Sequence, residues 1–254
     1  MFNVKSVSIA AIVLLLIAGI FDWVIGIPSW IYFFILIVHF IFIMWGSFTI
    51  RSNFYIKGKH YFSTSQNQIV LTFDDGPAPG STEAILDILK LNKIKATFFC
   101  IGREVEKYPD IVKRIHEEGH SIGLHSFAHS YLYDFQFKFQ MVADLRKNQS
   151  GIESIVGYKP KLFRPPYGVT TPSMNLAVKK MNLNMIGWSL RSLDTVIRDQ
   201  NRVIQRILKR LKPGAILLLH DHLHSTPAML TQLIQELKDR NYEIVPLTDI
   251  LPND

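Results

Sequence analysis

The stretch Leu71-Thr72-Phe73-Asp74-Asp75-Gly76-Pro77 sets two adjacent carboxylates at the end of an apolar, β-prone run, where a Gly-Pro pair breaks the strand. Neighbouring side chains on a strand alternate faces and point apart. At a strand end that opens into a turn, both acids can be brought to one site and given different tasks, one gripping a metal and the other left free as a base. Three further blocks follow in order: His125-Ser126-Phe127-Ala128-His129, Arg164-Pro165-Pro166-Tyr167-Gly168 and Leu217-Leu218-Leu219-His220-Asp221.

Around these blocks, short β-prone runs at 68–73, 96–101, 121–125, 162–164, 185–190, 215–220 and 242–247 alternate with helical patterns at 82–92, 104–118, 135–156, 172–181, 202–211 and 227–239. Seven strands alternating with helices predict a parallel α/β sheet with covered faces. The pattern alone fits a closed barrel and an open sheet equally. In a barrel, the ends of these runs meet on the carboxyl face, which brings Asp74, Asp75, His125, Arg164 and His220 to one rim.

His125 and His129 are four residues apart, so a helical turn after the strand would stack their imidazoles on one face. With Asp75 they form a two-histidine, one-carboxylate set that leaves coordination positions open. Zinc suits that set, and cobalt, nickel or manganese tolerate it. A divalent ion there polarises an amide carbonyl and acidifies water. Asp74 is placed to take the proton from water, and His220 to protonate a departing amine. Arg164 is the expected orienter of Asp74 through a charge-assisted pair. Pro165 and Pro166 stiffen the rim, and Gly168 permits a tight turn.

The four ordered blocks resemble the polysaccharide deacetylase family, also known as the NodB-homology or carbohydrate esterase 4 domain, over residues 66 to 251. The resemblance implies an irregular (β/α)7 barrel that removes an acyl group, acetyl foremost, from an amino sugar; the same machinery attacks O-acetyl esters. It implies Asp75, His125 and His129 as metal ligands, Asp74 as base and His220 as acid. It adds the backbone N–H of Tyr167 as an oxyanion donor, Leu218 as the lining for the acetate methyl, and Asp194 as support for the acid histidine. Pro165, Tyr167 and Trp188 complete the expected substrate contacts.

One block departs from the family pattern. Members commonly carry Trp-x-x-Asp-x-x-Asp-Trp where this chain reads Trp188-Ser189-Leu190-Arg191-Ser192-Leu193-Asp194-Thr195. Arg191 brings a positive charge that is expected to lower the imidazolium population of His220. Thr195 removes a wall of the groove. An alternative reading, a catalytically impaired scaffold that binds glycan or a membrane partner, rests on those two replacements.

Before Arg51 the only charged residues are Lys5 and Asp22. Two apolar spans, at 4–21 and 30–50, are predicted to form a helical hairpin turning at Asp22, Gly26, Pro28 and Ser29, with Trp23 and Trp30 at interface depth. Gly26-Ile27-Pro28 is a poor exit site for a cleaved leader. The expected organisation is an anchor at 1–50, a polar connector at 51–65 and a catalytic domain at 66–254, integral to the cytoplasmic membrane. Lys5 precedes the hairpin while Arg51, Lys57 and Lys59 follow it, so the positive-inside rule places the domain in the cytoplasm. The family habitually works outside the cell, and a single span would put the domain there.

Lys5 and Asp22 cancel, so the net charge of +7 lies after the hairpin. That surplus suits a lipid bilayer or a lipid-linked N-acetylated saccharide. No basic run interleaved with aromatics points to nucleic acid. Cys100, the sole cysteine, allows no intrachain disulfide and is expected to be a buried, inert thiol. His222 and His224 read as rim histidines in a loop, and His116 and His120 as cationic groups favoured at a helix end.

Overall fold

The computed structural model describes residues 2–251, so the last residues of the predicted 66–254 domain lie outside the described residues. Two helices open the chain, α1 (Val4–Ile25) and α2 (Trp30–Phe48), both long and apolar enough to cross a bilayer, with mean hydropathy 2.5 and 2.2. They pack on one another as a hairpin. Asn3 caps α1 by accepting from Ser6 N–H, and Asp22 closes the turn by accepting from Ile27 N–H at 2.9 Å and Tyr32 O–H at 3.2 Å.

The remaining elements alternate as expected: β1 (Gln68–Asp74), α3 (Ser81–Leu91), β2 (Thr97–Cys100), α4 (Gly102–Lys107), α5 (Pro109–Glu117), β3 (Ser121–Leu124), α6 (Lys138–Val156), β4 (Leu162–Phe163), α7 (Pro172–Lys180), β5 (Asn184–Met185), β6 (Leu190–Arg191), α8 (Gln200–Arg210), β7 (Ala215–His220), α9 (Thr226–Asp239) and β8 (Glu243–Ile244). The strands form one curled parallel sheet in the order β5-β4-β3-β2-β1-β7-β6, with β8 against the start of β1. This is the irregular (β/α)7 barrel. The predicted helix at 104–118 divides at Pro109, which lacks the N–H that a continuous helix requires.

The predicted run at 185–190 is two short strands on opposite edges of the sheet. Ile186 N–H donates to Phe163 O at 2.8 Å, whereas Ser189 N–H donates to Ile216 O at 3.2 Å. One irregular segment thus leans on β4 at its start and on β7 at its end, and bridges the seam of the barrel.

Alternation sorts the strand residues into two layers. Ile69, Leu71, Phe73, Leu217 and Leu219 join the larger core shared with the helices. Val70, Phe99, Leu162, Ile186 and Ile216 fill the barrel floor together with Phe62. Thr72, Arg164 and Leu218 continue the inward-facing rows towards the rim, all buried. Gly123 makes room for this packing, since a Cβ there would lie 2.5 Å from the Phe99 ring.

Two expectations are corrected. Residues 51–65 are not a polar connector: Phe54, Tyr55, Ile56 and Phe62 are buried, and Lys59 and Tyr61 bridge to Ile186 and Ala215. Apolar residues among the lysines carry the segment along the seam. His120 is not a cation at a helix end. Burial first, and then the Lys95 charge, lower its pKa to about 4, and its Nδ1 accepts from Ala96 N–H at 3.1 Å.

Phe98 is buried and stacks on Phe73 with ring centroids 5.1 Å apart. Phe98→Ala is expected to cost about 3–5 kcal/mol, read from denaturant unfolding of the detergent-solubilised chain. A loss below about 1 kcal/mol would contradict this packing.

Candidate active site

Asp74 is the last residue of β1, and Asp75 follows with φ 78°, in the left-handed region that non-glycine residues avoid. That conformation is the physical device that turns two neighbouring carboxylates into one site. Both His125 Nε2 and His129 Nε2 lie 3.3 Å from Asp75 Oδ1. Asp74 Oδ2 stands 3.8 Å from His125 Nε2. Holding Asp75 there costs on the order of 1–3 kcal/mol, which surrounding contacts must offset.

The His125–His129 loop is not helical, which corrects the expected helical stacking. Ser126 and His129 both adopt positive φ, at 58° and 47°, and fold the loop back so that the two rings converge. His125 Nδ1 lies 2.9 Å from Arg164 O, so an Nδ1–H donated there leaves the Nε2 lone pair facing Asp75. The Tyr167 hydroxyl lies 3.2 Å from both His129 O and His129 Nδ1. By donating to the carbonyl it can accept from Nδ1–H, which again frees Nε2.

Candidate ligand atoms of Asp75, His125 and His129 all lie within 4.8 Å of one another. Among the described residues, His129 Nε2 is buried without a hydrogen-bond partner. A carboxylate oxygen converging with two imidazole nitrogens is a donor set that fits a divalent cation. Burial works to raise the Asp75 pKa, but hydrogen bonding and charge from His125, with His220 and His129 adding to them, hold it well below the usual carboxylate range. Burial and the His125 charge lower the pKa of His129, which favours its neutral, ligating form.

Arg164 is fully buried and points along the barrel interior. Its Nη1 donates to Asp74 Oδ1 at 2.7 Å and Thr72 Oγ1 at 2.8 Å, its Nε to Ile186 O at 3.1 Å, and its Nη2 to Gly187 O at 2.9 Å. Its guanidinium carbon sits 4.2 Å above the Phe99 ring centre. The expected orientation of Asp74 is therefore one of three jobs: the same side chain also satisfies carbonyls of the seam and covers the floor.

His220 ends β7, paired in register with Asp74. Its N–H donates to Asp194 Oδ2 at 2.9 Å, and its Nδ1 lies 2.7 Å from Asp194 Oδ1. Burial works to lower the His220 pKa, but hydrogen bonding and charge from Asp194 raise it overall. That is opposite to the shift expected from Arg191, whose side chain is exposed to solvent. Leu218 lies one inward position below His220, and the Trp188 ring covers Gly168, where a Cβ would lie 2.5 Å from it. Pro165 is buried and Tyr167 exposed on the same rim loop.

Three supports were not singled out by motif reasoning. Asp144 on α6 accepts from Phe127 N–H at 2.8 Å and Ala128 N–H at 3.3 Å, and Asn148, one turn on, donates to Ser126 O at 2.7 Å and Cys100 O at 2.9 Å. Polar residues four apart beside the buried stripe of Met141, Leu145 and Ile152 were the available signal. Asp221 accepts from Thr82 O–H at 2.8 Å and packs on Gly76, where a Cβ would lie 2.0 Å from its carboxylate. Burial, with repulsion from Asp75, pushes its pKa up to about 7. His222, read as an ordinary loop residue, places Nδ1 3.4 Å from Asp75 Oδ2.

Residues 62–186 match the family profile described as polysaccharide deacetylase. The peptidoglycan-N-acetylglucosamine deacetylase PgdA of Listeria monocytogenes is 36% identical over 186 residues, covering 73% of this chain and 39% of the relative, so the chain spans well under half that protein's length. The structure of the peptidoglycan deacetylase PdaC from Bacillus subtilis superposes with a TM-score of 0.68 at 32% identity, over 73% of this chain and 90% of that one. A carbohydrate esterase 4 pseudoenzyme from Bacillus anthracis superposes with a TM-score of 0.70 at 26% identity, over 75% of this chain and 67% of that one.

Asp144 holds the loop of the candidate ligands through the backbone N–H groups of Phe127 and Ala128. Asp144→Ala is expected to weaken zinc binding about 10–100-fold in a calorimetric titration. Unchanged affinity would show that the loop keeps its shape without α6.

Proposed function

The chain belongs to the polysaccharide deacetylase family, and we propose that it is a membrane-anchored, metal-dependent deacetylase of N-acetylated amino sugars. The observation that carries this reading is the left-handed Asp75, which gathers its carboxylate with His125 and His129 while Asp74 stays on the same rim, tied to Arg164. Residues 66–254 form the catalytic unit and 1–50 the anchor.

Asp75, His125 and His129 would hold one divalent cation, zinc foremost, which supplies Lewis-acid polarisation of the amide carbonyl and acidifies water. Asp74 accepts the proton of the attacking water, aimed by Arg164. The Tyr167 N–H donates to the oxygen on which charge develops. His220, kept cationic by Asp194, gives its proton to the departing amine, and Leu218 lines the space for the acetate methyl. Because that pair stands intact, Arg191 and Thr195 alter the groove wall rather than the proton relay, which favours activity over the impaired-scaffold reading. The names of PgdA and PdaC support an N-acetylated glycan as the substrate class.

The two apolar helices support anchoring in the cytoplasmic membrane. Basic residues on both sides of the hairpin support a cytoplasmic domain acting on a lipid-linked saccharide. Reporters fused after Asp254, one active only inside and one only outside the cell, test that side: an external signal redirects the search to wall polymer.

Asp74→Asn and His220→Ala are each expected to lower acetate release from chitohexaose by about 100- to 10,000-fold per folded molecule, the folded fraction being read by circular dichroism. Near wild-type turnover in either variant contradicts the assignment. Because the folded-state pKa of His220 lies above 6.5, its acid form persists through pH 6.5 and is lost as pH rises through the raised value. The alkaline limb of kcat/KM is therefore expected above pH 6.5, and Asp194→Asn should move it to lower pH. A limb unmoved by that substitution assigns the proton donor elsewhere.

A further inference from the structure

The loop between β3 and α6, with the first turn of α6, carries a patch that the chemistry above does not use. Tyr131, Leu132, Phe135, Phe137 and Phe139 are between 67% and 88% exposed, while Tyr133 between them is fully buried and pins the loop to the core. The Phe137 and Phe139 rings stack at 6.1 Å, and Tyr131 stacks on Tyr167 of the catalytic rim at the same centroid distance. Clustered apolar exposure of this kind marks an interaction surface.

The anchor meets the domain beside that surface. Thr170, three residues beyond Tyr167, donates through its N–H to Ser47 O at 3.0 Å near the end of α2. Both α6 and α7 follow parallel strands, so their amino-terminal ends lie at the catalytic face, and the two helices pack against each other. The end of α2, the start of α7 and the aromatic loop at the start of α6 therefore share one side of the rim.

We propose that the Tyr131–Phe139 loop is a second membrane contact, which inserts its apolar side chains into the surface of the bilayer that holds the hairpin and brings the catalytic rim to the lipid headgroups. The proposal rests on the membrane-anchored reading above. The residue types favour lipid over a sugar platform: Leu and Phe have no hydrogen-bonding group to offer a glycan, and all four exposed residues other than Tyr131 are of these kinds. Lys138, exposed between two of the phenylalanines, can snorkel to anionic phosphates, in keeping with the net charge of +7. A rim held in this way would meet saccharides whose lipid end lies in the same membrane.

The test uses the full chain in nanodiscs of phosphatidylcholine and phosphatidylglycerol, with nitroxide labels on Phe137→Cys, on Ile17→Cys in the hairpin and on Leu91→Cys at the far end of α3; Cys100 is buried. Oxygen and nickel-complex accessibility then report depth. The Phe137 label is expected about 5–10 Å into the headgroup–acyl boundary, with Ile17 in hydrocarbon and Leu91 in water. Phe137 in water with Ile17 in hydrocarbon overturns the second contact and leaves the anchor standing. Ile17 in water overturns the anchor and the contact together. In parallel, the double variant Phe135→Ser, Phe137→Ser should turn over soluble chitohexaose at the wild-type rate; a tenfold loss there would assign the patch to glycan binding instead.

Discussion

The buried pair between Arg164 and Asp74 is the interaction on which the rest of the structure depends. A guanidinium taken out of water is costly unless its donors are satisfied. Here one carboxylate, one hydroxyl and two backbone carbonyls accept from it. The carbonyls belong to Ile186 and Gly187, where the closing segment leaves β4 and has not yet reached β7. The same charge that holds Asp74 therefore ties the barrel seam. Removing either partner would leave an unpaired buried charge, a loss of about 3–5 kcal/mol, so the aim of Asp74 and barrel closure are held by one group.

Backbone strain is concentrated at the opposite side of the site. Asp75, Ser126 and His129 all sit at positive φ. Each is backed by a polar group from another element: Asp221 behind Gly76, Asn148 at the Ser126 carbonyl, and Tyr167 at His129. Strained conformations persist where surrounding contacts over-determine them. The barrel supplies the positions of the candidate ligands, and the supports from α6, β7 and the rim loop supply their aim. Tuning extends to His220, where Asp194 both orients the imidazole and holds its pKa up against burial.

Much of this was legible in the sequence because strand periodicity and motif position carry the same information. Asp74, His125, Arg164 and His220 each end a β-prone run, and parallel strands bring such ends together. What stayed hidden depended on tertiary contact. The run at 185–190 reads as one strand, yet its two ends pair with different neighbours, a choice that only the closure of the sheet makes. The histidine spacing suits a helix, but Asn148 and Asp144 capture the loop backbone before a helix can form. Lysines made residues 51–65 look solvated, while Phe54, Ile56 and Phe62 among them were already marked for burial. Lys95 and burial, neither visible from local sequence, keep His120 neutral.

The central claim, hydrolysis of an N-acetyl group by a site built on Asp75, His125 and His129, is tested most directly by coupling metal content to turnover. The full-length chain in detergent would be stripped with a chelator, re-supplied with measured amounts of zinc, and assayed for acetate released from chitohexaose. Activity lost on stripping and restored in proportion to zinc, reaching its plateau at one ion per chain, is the predicted result. Acetate release that survives complete removal of metal, or stays absent with one zinc bound per chain, would contradict it.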